Sequence, residues 1–298
     1  MNNVPRFPDM RPLTLGDKPL LDTLLASQQP EISEYTFTNL FAWRKAYDFC
    51  VSQADGVFLV VSRRDGRLDI FDPLCPAGKK RAVVESCFFL SSSLPTAFVR
   101  MPEEAVRAFQ GDGAFAVAEE RDHFDYLYRT QDLVALKGTA YDGKRNFIKR
   151  FKEARAFEYR VMKAEDVEKC FYFEEEWCLA RDCQRTEGLA REREAMHEIL
   201  SHFEALGVQG AMILIDGKVE AVTLGEALNS QTFVIHIEKA NGSFVGIYQA
   251  INQMFCEQAA QGYVFVNREQ DLGVAGLRQA KESYHPCRLV KKYTLQKK

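Results

Sequence analysis

Twice along the chain an Asp-Gly pair separates two β-rich runs: GVFLVVSRRDGRLDIFDP turns at Asp65-Gly66, and GAMILIDGKVEAVTLGE at Asp216-Gly217. Asp-Gly between such runs is a strong hairpin signal, so each predicts an antiparallel start to a sheet. Helical patterns precede both hairpins, KPLLDTLLASQ and YTFTNLFAWRKAY before the first, AEDVEKCFYFEEEWCLA and AREREAMHEILSHFEAL before the second. A helix-helix-hairpin unit met twice, half a chain apart, predicts internal duplication. With 298 residues the chain also exceeds the ~100–200 of a usual single core, which suits two domains, 1–157 and 158–298.

After the first hairpin the pattern reads as a helix at 79–92, strand TAFVRM, a helix opened by Pro102 and Glu103, strand AFAVAEE and a basic helix at 144–154. After the second it reads as strand 232–238, helix 246–260, strand 263–267, a helix near 274–284 and a last strand 287–295. Strand and helix alternating after an antiparallel start give an α/β fold with mixed sheets covered by helices. Period-two alternation places Val234, His236 and Glu238 on one face of strand 232–238. In the next helix Ile247, Ala250, Ile251, Met254 and Phe255 form an apolar stripe, leaving Gln249, Asn252 and Gln253 on the other side.

Thirty-nine Lys and Arg against 42 Asp and Glu leave a net charge of −3, which argues against wholesale binding to DNA, other nucleic acid or anionic lipid. A local basic patch stays open in KGTAYDGKRNFIKRFKEAR. The N-terminal MNNVPRFPDMRPL has no basic start followed by an apolar core, and no stretch reaches the ~18 apolar residues of a membrane span, so a cytoplasmic protein is expected. Eight cysteines at irregular spacing, most inside apolar runs, read as reduced core thiols. His197 and His202 in MHEILSH are five apart where a zinc helix needs four, and Cys170, Cys178 and Cys183 lack paired spacing, so no metal is indicated.

The segments LKGTAYDGKRNFIKRF, HIEKANGSFVGIYQAIN and YVFVNREQDLGVAGLRQAKESYHP together resemble a family of bacterial proteins similar to the cytoplasmic catalytic domain of phosphatidylglycerol lysyltransferase. The resemblance spans most of the chain. It implies two tandem GNAT-like acyltransferase domains. It also implies transfer of an amino acid from aminoacyl-tRNA to a lipid-headgroup, peptide or small-molecule acceptor, whereas ordinary GNAT enzymes use acyl-coenzyme A. A coenzyme A site of that kind needs Arg/Gln-x-x-Gly-x-Gly/Ala, so that bare backbone N–H groups at a helix start wrap the pyrophosphate. Here Lys239-Ala240-Asn241-Gly242-Ser243-Phe244 stands there; Phe244 obstructs close approach, and Gly246 would restore some of it if the loop is longer. Asn241-Gly242 reads equally as a plain turn.

Acyl transfer needs a base for the acceptor, donors for the oxyanion and an acid for the leaving group. Glu238, at the polar end of its strand, is a candidate base or a salt-bridge partner. Arg268, Glu269, Gln270 and Asp271 follow an apolar strand, and ligands bind outside the carboxyl ends of strands in open sheets; Asp271 is alternatively a helix N-cap. Arg278 and Lys281, one turn apart, can face an anionic donor or form a solvated side. Tyr284 resembles, by position, the tyrosine that protonates the leaving group in many GNAT enzymes, and is otherwise a core tyrosine. On the basic helix Phe147, Ile148 and Phe151 are expected inward, while Arg145, Lys149 and Lys152, with Lys144 beside them, can meet tRNA phosphates or only solvent. The alternative to an enzyme is a silent duplicated fold that binds a nucleotide, RNA or a protein.

Overall fold

The structure is a computed structural model that describes residues 3–298. The chain divides into two compact units. One takes the residues up to Asp125 with Gln270–Gly273 and Val290–Lys298; the other takes Tyr126–Glu269 with Val274–Leu289. Each unit holds one mixed seven-stranded sheet.

In the first unit the strands run in the order Arg11–Pro12, Phe49–Ala54, Val57–Arg64, Arg67–Phe71, Thr96–Pro102, Lys292–Lys297, Phe115–Glu119. The Asp65-Gly66 turn joins an antiparallel pair, as expected, and Arg67–Phe71 then lies parallel to Thr96–Pro102 across the helix Ala77–Leu90. Leu59, Val61, Ile70, Val84, Cys87 and Phe98 are buried between that helix and the sheet. In the second unit the order is Arg288–Val290, Asp125–Arg129, Phe265–Asn267, Thr232–Ala240, Lys218–Ala227, Gln209–Ile215, Glu158–Val161. Thr232–Ala240 and Phe265–Asn267 form its parallel pair, joined through the helix Ile247–Ala259, whose Ile247, Ala250, Ile251 and Phe255 are buried as the stripe required.

Three expectations are corrected. The boundary does not fall after residue 157: strand Asp125–Arg129, unforeseen in the sequence, pairs with Phe265–Asn267, and the basic helix Asp142–Ala154 belongs to the second unit. The last strand divides at Lys291. Its first part, Arg288–Val290, joins the second sheet, while Lys292–Lys297 lies between Thr96–Pro102 and Phe115–Glu119 in the first. Each exchanged strand finds its partner far along the chain, where local pattern carries no information. Finally, Cys178 and Cys183 are not free thiols but a disulfide. Helix Val167–Arg181 ends at Asp182 in the left-handed region, and the following turn folds back to bring the two Cα atoms to 5.1 Å.

Among the described residues no helix is long and apolar enough to cross a membrane.

Candidate functional site

The site-forming strand Thr232–Ala240 is irregular. Leu224 of its neighbour faces Ile237 but Gly225 faces Ile235, so His236 is the extra residue of a bulge. A Cβ on Gly225 would stand 2.4 Å from the Val234 carbonyl oxygen, which is why the strand carries glycine there.

Beyond the bulge, Glu238 meets the end of the parallel neighbour. Its Oε1 accepts from Arg268 Nη2 at 2.8 Å and its Oε2 from Asn252 Nδ2 at 2.7 Å. The Arg268 guanidinium carbon lies 4.7 Å from the Tyr284 ring centre and 5.7 Å from that of Tyr128. Lys144 reaches in from the basic helix, its ammonium 4.0 Å from the centre of the Tyr284 ring and 2.6 Å from Ser283 Oγ. Arg268 and Glu238 side chains each keep 13% of their surface exposed, and Asn252 keeps none. Two polar atoms here, Arg268 Nη1 and Asn252 Oδ1, are buried without a hydrogen-bond partner among the described residues. Unpaired buried groups of this kind are costly unless something else meets them.

The electrostatics follow from the packing. Burial alone would lower the Arg268 pKa, but the Glu238 carboxylate raises it above the ordinary arginine value. Burial holds the Tyr284 and Tyr128 hydroxyls above the ordinary tyrosine pKa, against the pull of Arg268. Burial, then the charge of Arg268, lowers the Lys144 pKa. Supporting bonds fix the ring positions: Tyr128 Oη donates to the Lys281 carbonyl at 2.8 Å and Tyr141 Oη to the Tyr284 carbonyl at 3.1 Å.

Beside this cluster His236 is clamped between Glu226, 2.9 Å from Nε2, and Glu269, 2.8 Å from Nδ1. Burial opposes protonation of the ring, but the two carboxylates outweigh it and raise its pKa to about 10.

Of the residues singled out in the sequence, Glu238, Arg268, Tyr284 and Lys144 converge. Glu269 is drawn to His236 instead. Asp271 is fully buried, held by Arg121 Nη1 at 3.1 Å and accepting from the Gly273 amide at 2.8 Å, and it groups with the first unit. Lys281 donates to the Arg268 and Glu269 carbonyls, a brace for the backbone rather than a free cation. Arg278, half-buried on the helix Ala275–Glu282, takes no part in the Glu238–Arg268 pairing. Lys239, expected at a phosphate, is buried with its ammonium 2.8 Å from Glu174 and 3.5 Å from Glu192.

The loop after the strand is shut by its own residues. Asn241 Oδ1 accepts from the Ser243 amide and hydroxyl, and its amide group donates to Glu220 at 2.9 Å. Phe244 lies under the Arg155 guanidinium at 4.4 Å. Gly246, at φ 90°, packs so closely on the basic helix that a Cβ would stand 2.1 Å from the Phe147 carbonyl oxygen. That glycine serves helix packing, so the expected close approach of a pyrophosphate there is not open. Gly242 and Asn241 instead edge a cleft of about 320 Å³ shared with Trp177, Arg181 and Lys218.

On the basic helix Ile148 and Phe151 are buried as expected, but Phe147 is 39% exposed. Arg145 is spent on the Leu136 and Gly138 carbonyls and on Asp142. Lys149, 3.8 Å from Glu153, remains exposed. Sequence reasoning missed Asn252, Tyr128 and His236. Asn252 was assigned with Gln249 and Gln253 to the far side of its helix, and nothing in the sequence marked it as buried.

A family model described as "Phosphatidylglycerol lysyltransferase, C-terminal" matches residues 26–296. Among solved structures, a conserved protein of unknown function from Bacteroides thetaiotaomicron superposes with a TM-score of 0.89 at 30% identity, over 97% of this chain and 99% of that one. L-PGS from Bacillus licheniformis superposes at 0.67 with 15% identity, over 99% and 94% of the two chains. FemX superposes at 0.60 with 9% identity, over 97% of both. No curated protein matches.

Proposed function

Because this chain belongs to the phosphatidylglycerol lysyltransferase C-terminal family, we propose that it is an acyl- or aminoacyltransferase whose reaction centre is the cluster of Glu238, Arg268, Tyr284 and Lys144. The carrying observation is the buried, unpartnered Arg268 Nη1. A guanidinium N–H fixed in advance, in a poorly solvated site, stabilises the oxyanion that forms when an acyl carbonyl is attacked.

The remaining residues fit around that step. Glu238 has both oxygens engaged, so its part is to orient Arg268 rather than to act as a free base. Lys144, whose pKa is lowered, takes the proton from an amine or hydroxyl acceptor as its lone pair attacks the carbonyl carbon. The tetrahedral intermediate then collapses, the bond to the leaving oxygen breaks, and Tyr284, kept protonated by burial, supplies the proton to that oxygen. Lys144 gives up one proton and Tyr284 recovers one, so the cycle closes.

The donor favoured is aminoacyl-tRNA, since the loop that would hold the coenzyme A pyrophosphate is filled by Phe244 and by the packing of Gly246. Two compact units, each with a parallel strand pair joined by a helix, support reading the chain as tandem GNAT-like domains. Cytoplasmic action and a peptide or lipid-headgroup acceptor belong to the same reading. The test is transfer of labelled amino acid from charged tRNA, with acyl-coenzyme A in parallel, to a panel of amine and hydroxyl acceptors. Arg268→Gln should lose turnover while keeping its fold; transfer at the wild-type rate in that variant would remove the cluster from the mechanism.

A further inference from the structure

Strand Thr232–Ala240 changes phase where it bulges. Before the bulge, Phe233 and Ile235 share a buried cluster with Phe255 of the helix Ile247–Ala259. After it, Glu238 bonds Asn252 of that same helix, and Ala240 packs with Ile247 and Ala250. Odd positions face the helix before His236 and even positions face it afterwards. Strict alternation would put Glu238 on the opposite face from Ile235, because a slip of one residue turns every later side chain over. The extra residue is what turns Glu238 toward Arg268, and bulges beside reaction centres re-aim side chains in this way.

His236 ties the bulge to both neighbouring strands. Its Nε2 lies 2.9 Å from Glu226 Oε1, on the antiparallel strand Lys218–Ala227. Its Nδ1 lies 2.8 Å from Glu269 Oε1, just past the end of the parallel strand Phe265–Asn267. Carboxylates thus face the ring from both sides, and the side chain is only 4% exposed. An ionised carboxylate can only accept, so two of them require N–H on both ring nitrogens, which is the imidazolium form. A neutral ring would turn a lone pair toward one carboxylate. The raised pKa of about 10 agrees with that requirement.

Glu269 is a demanding anchor. Its φ of 56° lies in the left-handed region that residues other than glycine seldom take. Asn267 Oδ1 holds it there by accepting from its amide at 2.8 Å, and its carbonyl accepts from the Tyr126 amide at 3.2 Å and from Lys281 Nζ at 3.3 Å. The bond to His236 fixes the side chain as well. Arg268 comes directly before this turn, so the turn sets the direction in which Arg268 leaves the strand.

We propose that His236 is a positioning residue: as an imidazolium it pins the bulge between Glu226 and Glu269, and so holds Glu238 and Arg268 in register on one face of the sheet. It acts through Arg268. Its effect on rate rests on the acyl-transfer reading, whereas its effect on the geometry of Arg268 does not.

The experiment therefore has two arms. In nitrogen-15 NMR of the full chain at pH 8, the His236 ring, assigned by its loss in His236→Gln, should carry a proton on both nitrogens. The Arg268 Nε–H resonance, assigned with Arg268→Lys, should move in His236→Gln. In the transfer assay, His236→Gln should lower kcat by about tenfold to 10²-fold, with KM changed by less than about twofold. Adding Glu226→Gln gives the new amide carbonyl a donor, and should recover part of that loss. Glu269→Gln keeps an acceptor for the ring, so it tests the same clamp if His236→Gln does not fold. It should lower kcat while KM stays put. Melting curves confirm that each variant is folded at the assay temperature. The proposal is overturned by a neutral ring in the wild type, by an Arg268 resonance that ignores the substitution, or by folded variants that turn over like wild type or lose only KM. If no donor supports transfer at all, the acyl-transfer reading fails, and the NMR arm still decides whether His236 holds Arg268.

Discussion

The two units carry the same device and use it differently. In each, a parallel strand pair is followed by an arginine one residue past the last paired position, Arg100 after Val99 and Arg268 after Asn267. Each arginine meets a glutamate at almost the same distance, Glu34 at 2.9 Å and Glu238 at 2.8 Å. In the first unit Glu34 also binds Lys292, which is wholly buried and lies 2.6 Å from the equally buried Asp125. Two cations there balance two carboxylates. In the second unit Arg268 meets the single carboxylate of Glu238, and its Nη1 is buried without a hydrogen-bond partner among the described residues. The lesson is that strand geometry sets where the arginine stands, while the groups around it decide how fully it is engaged.

The comparison can be broken most sharply at Lys292. Lys292→Met would leave two buried carboxylates, Glu34 and Asp125, against Arg100 alone, and chemical denaturation should show a loss of about 3–5 kcal/mol. A near-neutral result would mean that the first cluster is no lock. In the second unit the large effect should fall on rate instead: Arg268→Gln is expected to lower kcat about 10²–10³-fold, read in single-turnover transfer assays. Tyr284→Phe should come next, with about 10²-fold lost in kcat and KM nearly unchanged, because the hydroxyl acts only as the leaving group departs.

The histidines sharpen the contrast through pH. His123, in the first unit, is pushed down to about 4 by burial and then by the Arg100 charge, whereas His236 is raised to about 10. An unfolded histidine protonates near pH ~6.5. For His123 the unfolded state therefore takes up a proton first, and stability is lost as pH falls from about 6.5 toward 4. For His236 the native state holds its proton longer, so its contribution is complete below about 6.5 and is lost as pH rises toward 10. Thermal melts across pH should lose the acid limb in His123→Asn and the alkaline limb in His236→Gln; limbs that stay put would show that other groups carry them. The smallest effect belongs to the basic helix. Lys149→Glu should weaken tRNA binding modestly and reduce its salt slope by about one unit, since Arg145 is already committed to carbonyls and Asp142.

Much of the architecture was legible in order along the chain. Both Asp-Gly hairpins, the helix Ile247–Ala259 and the strand that carries Glu238 stand where periodicity put them. The exchange of strands Asp125–Arg129 and Lys292–Lys297 was not legible, and the domain boundary was misplaced for that reason. Of the candidate residues, Glu238 and Arg268 were singled out from their places at strand ends, and Tyr284, expected on the last helix, stands in the turn just after it. Lys239 and Lys281 were misread, because the sequence shows that a lysine is charged but not that Glu174 or a pair of carbonyls has already claimed it.

What the sequence determined alone is the set of local elements and their polar ends, because backbone propensity and apolar period act over a few residues. What the tertiary structure decided is which charges are spent. The Glu238–Arg268 pair, the clamp on His236 and the buried Lys292 each join residues distant in the chain. Electrostatic energy depends on separation and burial, and neither is written in the order of the letters.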